Sequence, residues 1–334
     1  VTTNRRQFLG LSLLGLAATA VGCGTATGAT KTLRYQGWAG QVTPPELAAD
    51  LGFLQDVKLQ WVGNTISGPQ DIQSAATGQV DFGGAFNGAV VKLAAANAPI
   101  TSVISYYGVD KTAWNGFYVA DGSPIRSPRD LVGKKVGMNT LGAHSEAMLD
   151  IYLQRNGLAK DDIGKVEPVV VPPVNTEQSL RQGQIEVGVL GDILRDKALA
   201  RGGIRKLFDD YQLLGAFSAG TYVFRKDFVE RNPDTVRTFV AGVGKAIEWS
   251  KSTPRAAVIE RFTKIVSDRK RNEDPDALKY WTSFGVAGPG GLIQDRELQL
   301  WIDWLGSRGD VKPGSVKPAD LYTNRFNPHA NGKG

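Results

Sequence analysis

The sequence predicts an α/β protein built as two lobes, and three observations carry the prediction. Short apolar runs alternate with amphipathic helical stretches from residue 32 to about residue 215, the pattern of sheets wrapped by crossover helices. The alternation restarts at Gly116, where a second sheet can begin. With 334 residues, 42% of them hydrophobic, the chain has enough apolar side chain for two lobes, each with its own core.

In chain order, the first strand is read at 32–36 and ends in Gly37-Trp38-Ala39-Gly40-Gln41. Pro44 and Pro45 suit a first helical turn, which 46–51 continue. Residues 58–62 alternate as a second strand. The stretch 71–99, DIQSAATGQVDFGGAFNGAVVKLAAANAP, organises the first lobe. A short amphipathic helix ends at Gly78, a buried strand occupies 79–83, and a glycine-rich turn leads into an Ala-rich helix from about Asn87. Asn87 suits an N-cap, and Gly83, Gly84 and Gly88 either let something approach the backbone or permit a tight strand-to-helix turn. A third strand follows at 100–106, and the sheet is expected to be parallel with right-handed crossovers.

The second lobe begins with a strand at 117–120. Ser127-Pro128 opens a short helix, 134–138 is a strand, and a helix over about 143–156 is closed by Gly157. A buried strand at 166–171, a helix at 175–182 and a strand at 186–190 follow, the last stopping at Gly191-Asp192. A strand at 221–225 returns to the first lobe. The remainder is helical: 232–250, 254–266, one helix opening at Asp274-Pro275, and 294–307. In the last of these Leu298, Trp301, Ile302, Trp304 and Leu305 form an apolar stripe, read as a core-facing surface.

Lys and Arg outnumber Asp and Glu by 39 to 33, and the basic residues are spread without long runs. That suits a solvated surface and argues against a nucleic-acid groove. The amino terminus has the form of an export leader: the twin arginines Arg5 and Arg6 precede an apolar run at 9–21 that is too short to span a bilayer. Cys23, the one cysteine of the chain, cannot form an internal disulfide. With Ala20-Val21-Gly22 before it, it resembles the acylated cysteine of a bacterial lipobox. The expected organisation is therefore a Tat-type lipoprotein signal peptide at 1–22, a small polar tether at 23–31, a first lobe at 32–115 and 216–330 that includes the C-terminal helices, and a second lobe at 116–215. Loss of the leader, with two arginines and no acid, leaves 312 residues and lowers the net charge from +6 to +4.

Four strand ends, at 36–41, 84–88, 139–145 and 190–192, are expected to face a common cleft. In open α/β sheets ligands settle outside strand carboxyl ends, where helix amino ends offer free N–H groups. The candidate ligand-binding residues are Gln36, Trp38, Gln41, Phe86, Asn87, Trp114, Thr140, His144, Ser145 and Asp192. Trp38, Phe86 and Trp114 serve either as apolar walls or as ordinary core. Thr140, His144 and Ser145 offer side-chain donors, and a helix start favours the neutral form of His144, which is by its position either a ligand contact or an exposed cap residue. The strand ends carry no Lys or Arg except Arg195, one turn beyond. Asp192 puts a carboxylate there, which repels a divalent anion and suits an amine or a ring N–H, unless it only caps its own helix.

The order of a leader and lipobox, GWAG, IQSAATGQVDFGGA, SPRDLVGKKVGMNT, SLRQGQIEVGV and FRKDFVERNPDTVRTFVAGVGKAIEWSKSTP resembles the periplasmic substrate-binding proteins of ABC importers. More narrowly it is similar to the branch serving aliphatic sulfonates, taurine, nitrate and pyrimidine precursors, over about residues 32–326. The resemblance implies a type II-like two-lobe periplasmic-binding-protein fold, with a mixed sheet flanked by helices in each lobe, crossings near 106–116 and 215–221, and a helical C-terminal extension. It implies a receptor that captures a small organic anion or zwitterion, foremost an aliphatic sulfonate or taurine-like compound, and delivers it to permease subunits. Aromatic sulfonates or carboxylates, nitrate and pyrimidine precursors are the alternatives, nitrate being the least suited to aromatic walls. A lipid-anchored monomer on the outer face of the membrane or in the periplasm, without cofactor or metal, completes the expectation.

An enzyme of the same fold is the rival reading, since pyrimidine-synthesising relatives resemble these receptors. Their cysteine-rich iron motif has no counterpart here, because the one cysteine lies in the leader. Gly-Lys-Lys at 133–135 precedes a strand, the wrong context for a phosphate loop. A receptor coupled to a membrane sensor shares every feature above.

Overall fold

The computed structural model describes residues 30–331, so Cys23, the leader and most of the tether lie outside the described residues. The elements run β1 (Thr32–Gly37), α1 (Pro44–Asp50), β2 (Lys58–Asn64), α2 (Gly68–Ala76), β3 (Phe82–Phe86), α3 (Asn87–Ala95), β4 (Ile100–Val109) and β5 (Asn115–Ala120). Then come β6 (Lys135–Met138), α4 (His144–Arg155), α5 (Lys160–Ile163), β7 (Glu167–Val170), α6 (Pro173–Arg181), β8 (Val187–Gly191), α7 (Asp192–Ala200), β9 (Ile204–Asp209) and α8 (Asp210–Leu214). The chain closes with β10 (Phe217–Arg225), α9 (Lys226–Arg231), α10 (Pro233–Ser252), α11 (Arg255–Asp268) and α12 (Asp295–Arg308).

The strands form a β1-β2 pair, a β3-β10-β4 sheet and a β7-β6-β8-β5-β9 sheet. Pairing is parallel between β1 and β2 and between β6 and its two neighbours. It is antiparallel wherever β10 or β5 takes part. The all-parallel expectation fails at these two strands for a simple reason. Each enters its sheet from the other one, so neither is joined to the strands it pairs with by the crossover helix that sets consecutive strands parallel.

Local chemistry explains the other departures. β3 starts three residues later than expected because Asp81 is committed to a turn, where its carboxylate takes the Arg34 backbone N–H at 2.7 Å and the Arg34 guanidinium at 2.7 and 3.1 Å. The same guanidinium donates to the carbonyls of Gly78 and Gln79. The space at Gly83 and Gly84 is filled by the protein itself. A β-carbon on Gly83 would meet the Asp71 carbonyl oxygen at 2.5 Å, and one on Gly84 the Tyr222 ring at 2.7 Å. Asp71 then fastens α2 to β3 by accepting the Gly84 N–H at 2.7 Å, and its burial pushes its pKa up to about 7. β7 is an exposed edge strand and not a buried one. β9 and α8 escape the sequence reading because Arg205 and Lys206 interrupt the apolar alternation of β9. The segment opening at Asp274 is a short 3-10 helix, Pro275–Tyr280, and not an α-helix.

The α12 stripe is buried as expected, with Trp301 and Leu298 fully inaccessible. Its partners correct the expectation of one core per lobe. Trp301 meets Phe86 edge-on at 4.5 Å, and the largest apolar cluster runs from α3 through α12 into α4 and the β5–β9 sheet. At its end Arg308 pairs with Glu146 at 2.9 Å and with Asp150, both on α4. A second cluster joins β1, α1, α10 and α11. Trp301→Ala is expected to cost about 3–5 kcal/mol, read as a lowered urea midpoint. A loss below about 1 kcal/mol would contradict the packing role assigned to α12.

Candidate functional site

A cavity of about 270 Å³ lies where the β1–β4 elements and the β5–β9 sheet converge. Its first wall comes from the loop after β1, with Trp38 and Gln41, from Gly68 and Pro69 at the start of α2, and from Phe86 at the end of β3. Tyr106, Tyr107 and Gly108 on β4 and Trp114 before β5 form the back. The opposite wall carries Asn139, Thr140, His144 and Ser145 around the start of α4, and Leu190 to Leu194 across the β8–α7 junction. Of the ten candidate residues eight therefore line this cavity.

Gln36 and Asn87 do not, and this corrects their place in the site. Asn87 is the first residue of α3, not its N-cap, and it is fully buried. Its Nδ2 donates to the Ser218 and Glu297 carbonyls, both at 3.3 Å, so its side chain joins α3 to β10 and α12. Gln36 sits where the β1–β2 register shifts, with its Oε1 turned into the protein.

Several helices begin at the cavity, but they do not offer the same chemistry. At α1 the first two residues are prolines, and Thr43 and Glu46 close a capping box, so little donor capacity remains. At α4 the N-cap is Ala143, which makes no side-chain cap, and the first-turn N–H groups face the cavity end of the helix uncapped. Thr140 Oγ1 lies 3.1 Å from Ser67 Oγ, a hydroxyl contact that joins the two walls.

His144 is buried, and its Nε2 lies 2.9 Å from Asp210 Oδ2. Asp210 also accepts the Asn115 backbone N–H at 3.0 Å and its side-chain amide at 3.1 Å. A carboxylate accepting from three groups places a histidine proton on Nε2, and Nδ1 is buried without a partner among the described residues. The sequence reading treated His144 as a donor to ligand; its donor is engaged by Asp210.

Asp192 is the one carboxylate of the cavity wall, and neither Lys nor Arg lines it. It is open to the cavity, yet enclosure within the protein pushes its pKa up to about 6. Arg195 and His144 oppose that shift, and Asp210 and Asp196 add to it. Arg195 is turned away. It is 1% exposed, pairs with Asp196 at 2.7 Å, and donates to the carbonyls of Trp114 and Thr112 at 2.8 and 3.0 Å. Its guanidinium lies 3.8 Å from the centre of the Trp114 ring, so it fixes that aromatic wall from behind.

The sequence reading missed a further wall. Leu278, Trp281, Ser283 and Phe284 also line the cavity. The segment is held by Ser283 Oγ donating to Asp110 at 2.7 Å and Thr282 Oγ1 donating to the Thr112 carbonyl at 3.0 Å. Just upstream, Arg269 donates to the Gln41 carbonyl at 2.9 Å and Glu273 accepts the Gly40 N–H at 2.9 Å. Glu46 takes Arg271 at 2.8 Å and Arg269 at 3.2 Å. A buried ion cluster thus clamps the loop that carries Trp38 and Gln41. The available signal was an aromatic pair, Trp281 and Phe284, in a stretch without helical period. Among the described residues no group of three or more His, Cys, Asp or Glu could hold a metal ion, and no helix is long and apolar enough to cross a membrane.

Helix-flanked sheets meeting over one cavity define the fold of the periplasmic solute-binding proteins. The aliphatic sulphonate binding protein SsuA of Escherichia coli superposes with a TM-score of 0.66 at 20% identity, over 87% of this chain and 91% of that one. The family model described as NMT1/THI5 like matches residues 41–257, and the chain belongs to that family. A Brucella abortus (strain 2308) protein named only as a binding protein is 26% identical over 268 residues, 77% of this chain and 78% of its own. The 4-amino-5-hydroxymethyl-2-methylpyrimidine phosphate synthase THI12 of Saccharomyces cerevisiae is 24% identical over 303 residues, 86% of this chain and 83% of its own.

Asn87→Ala is expected to lower stability by about 1–3 kcal/mol, because two buried carbonyls lose their donor, while solute affinity stays unchanged. Calorimetric binding alongside chemical denaturation checks both halves. Weakened binding at unchanged stability would return Asn87 to the site.

Proposed function

We propose that this protein is the exported receptor of an ABC importer. It captures a small organic solute in the cavity, foremost an aliphatic sulfonate or taurine-like compound, and hands it to permease subunits. The observation that carries the reading is the cavity itself, with one wall drawn from β1–β4, the other from the β5–β9 sheet, and aromatic rings between them. A solute touching both walls stabilises the closed arrangement by its differential affinity for that state, and a permease can read the closure. The lobes are assigned to 32–115 with 216–330 and to 116–215, joined at the β4–β5 and α8–β10 passages. Trp38, Gln41, Phe86, Trp114, Thr140, His144, Ser145 and Asp192 are the proposed solute contacts. The α4 amino end is suited to an oxyanion such as a sulfonate. The fold it shares with SsuA supports this class. Binding without chemistry is the reading, since His144 is engaged by Asp210 and works as a fixed wall.

One observation favours a second ligand class. Flat rings at Trp38, Trp114 and Phe86 beside an open carboxylate suit a planar N–H-bearing heterocycle, and the synthases among the relatives act in pyrimidine synthesis by name. A thermal-shift panel of alkanesulfonates, taurine, aromatic sulfonates, nitrate and aminopyrimidines decides between them. The expected winner is an organic sulfonate, adding about 2.7 kcal/mol of apparent stability at a hundredfold excess over Kd. A response to nitrate alone would sink the organic-solute reading.

The receptor is further proposed to be a monomer, anchored through acylated Cys23 to the outer membrane face after Tat export. Cys23→Ser is expected to release it into the soluble fraction of the producing bacterium. Unchanged membrane fractionation would remove the anchor.

A further inference from the structure

Asp192 breaks three local rules at once. It stands at the first residue of α7 with φ at +45°, a left-handed conformation that is costly for a residue with a β-carbon. Among the described residues nothing donates to its carboxylate, although it sits at a helix start, where such groups are usually satisfied. It is also the cavity's one carboxylate, in a wall without Lys or Arg.

The groups facing it do not repair the imbalance. On its own helix Arg195 is paired with Asp196. From α8 comes Asp210, from α4 His144, tied to Asp210, and from β4 the Tyr107 ring. A plain anion arriving at this corner meets the Asp192 carboxylate first, with the Asp210 charge behind it. One strained residue carrying an unpaired acid persists where the surrounding structure holds it for a purpose.

We infer that the cavity selects a solute bearing a cationic amine, with Asp192 as its counter-ion and the amino end of α4 receiving the solute's oxyanion. This rests on the receptor reading and narrows it from sulfonates in general to aminosulfonate-type zwitterions. Asp192 is then the residue that separates them from amine-free sulfonates and from nitrate.

Matched pairs test it. Taurine and isethionate differ only in amine against hydroxyl, as do 3-aminopropanesulfonate and propanesulfonate in amine against hydrogen. Calorimetry on the wild-type protein is expected to show the amine member bound at least about tenfold tighter in each pair. In Asp192→Asn the ratio is expected to fall to about threefold or less, through weaker binding of the amine member and tighter binding of the amine-free one. The ligand-free protein supplies an independent readout. Because folding raises the Asp192 pKa, its contribution is most favourable below the unfolded value and is lost as pH rises through about 6. Asp192→Asn is therefore expected to melt higher than wild type at about pH 7.5, by about 2 °C, with the gap closing toward about pH 4. Equal binding of both members of each pair to wild type, with the ratio unmoved in the variant, overturns the inference and leaves the receptor reading standing. Binding of no sulfonate to either protein, together with no difference in melting, overturns both.

Discussion

The antiparallel pairing of β10 with β4 is the constraint on which the rest of the structure depends. Phe217 stands opposite Val109 and Arg225 opposite Ile100, so the strand leaving one sheet and the strand returning to it run side by side. The pairing allows no bulk along its course. A β-carbon on Gly108 would meet the Phe217 and Gly285 carbonyl oxygens at 2.4 Å, and one on Gly220 the Tyr107 ring at 2.0 Å. In its buried middle Ser102 and Thr221 satisfy one another, hydroxyl to hydroxyl, at 2.7 Å. Because both passages leave from this seam, Tyr106, Tyr107 and Gly108 become the back of the cavity, and whatever the β5–β9 sheet presents must present it there.

Ionic groups finish what the sheets begin. Glu46, Arg269, Arg271 and Glu273 are almost fully withdrawn from water, yet they balance in charge, although Arg269 Nη2 has no hydrogen-bond partner among the described residues. Tyr35 adds its hydroxyl to Glu46 at 2.7 Å and receives Arg271 at 2.8 Å. Such a cluster adds little net stability over apolar packing, but loss of one partner strands the others, typically at about 3–5 kcal/mol. Its value lies in placement: residues more than two hundred positions apart fix the Gly40–Gln41 backbone, and with it Trp38. Arg195 does the same for Trp114 across the cavity. Two aromatic walls are thus oriented by guanidinium groups that never reach the cavity surface.

Much of this was legible in the sequence, and the limits have physical causes. Strand ends followed by helix starts mark positions where ligands gather, so Trp38, Phe86, His144 and Asp192 could be placed on the cavity from local pattern alone. Gln36 and Asn87 come from the same pattern and fall outside, because one residue along a strand or a helix start turns a side chain to the other face. Asn87 shows the ambiguity well, since a polar residue at a helix start serves a buried backbone as readily as a ligand. Trp281 and Phe284 stayed hidden for another reason. They reach the cavity through tertiary contacts to Asp110 and Thr112, and no local periodicity records a contact across about 170 residues. The continuous core was equally invisible, because the α12 stripe announces burial without saying against what.

Comparing the ionised groups near the cavity isolates what is unusual about it. Arg195 lies deep and is matched by Asp196 and two carbonyls; Asp210 lies deep and is matched by Asn115 and His144; Glu46 is matched by two arginines. In each case the sequence supplied a partner, even from a distant element, before the charge was enclosed. Asp192 is open to the cavity and has no such partner among the described residues, and its backbone is held in a conformation that glycine would adopt more cheaply. Among the described residues nothing donates to that carboxylate, so no internal hydrogen bond accounts for an aspartate at this strained position. The consistent account is that the missing partner comes from outside the chain, and that the cavity is complete only when a positively charged group occupies it.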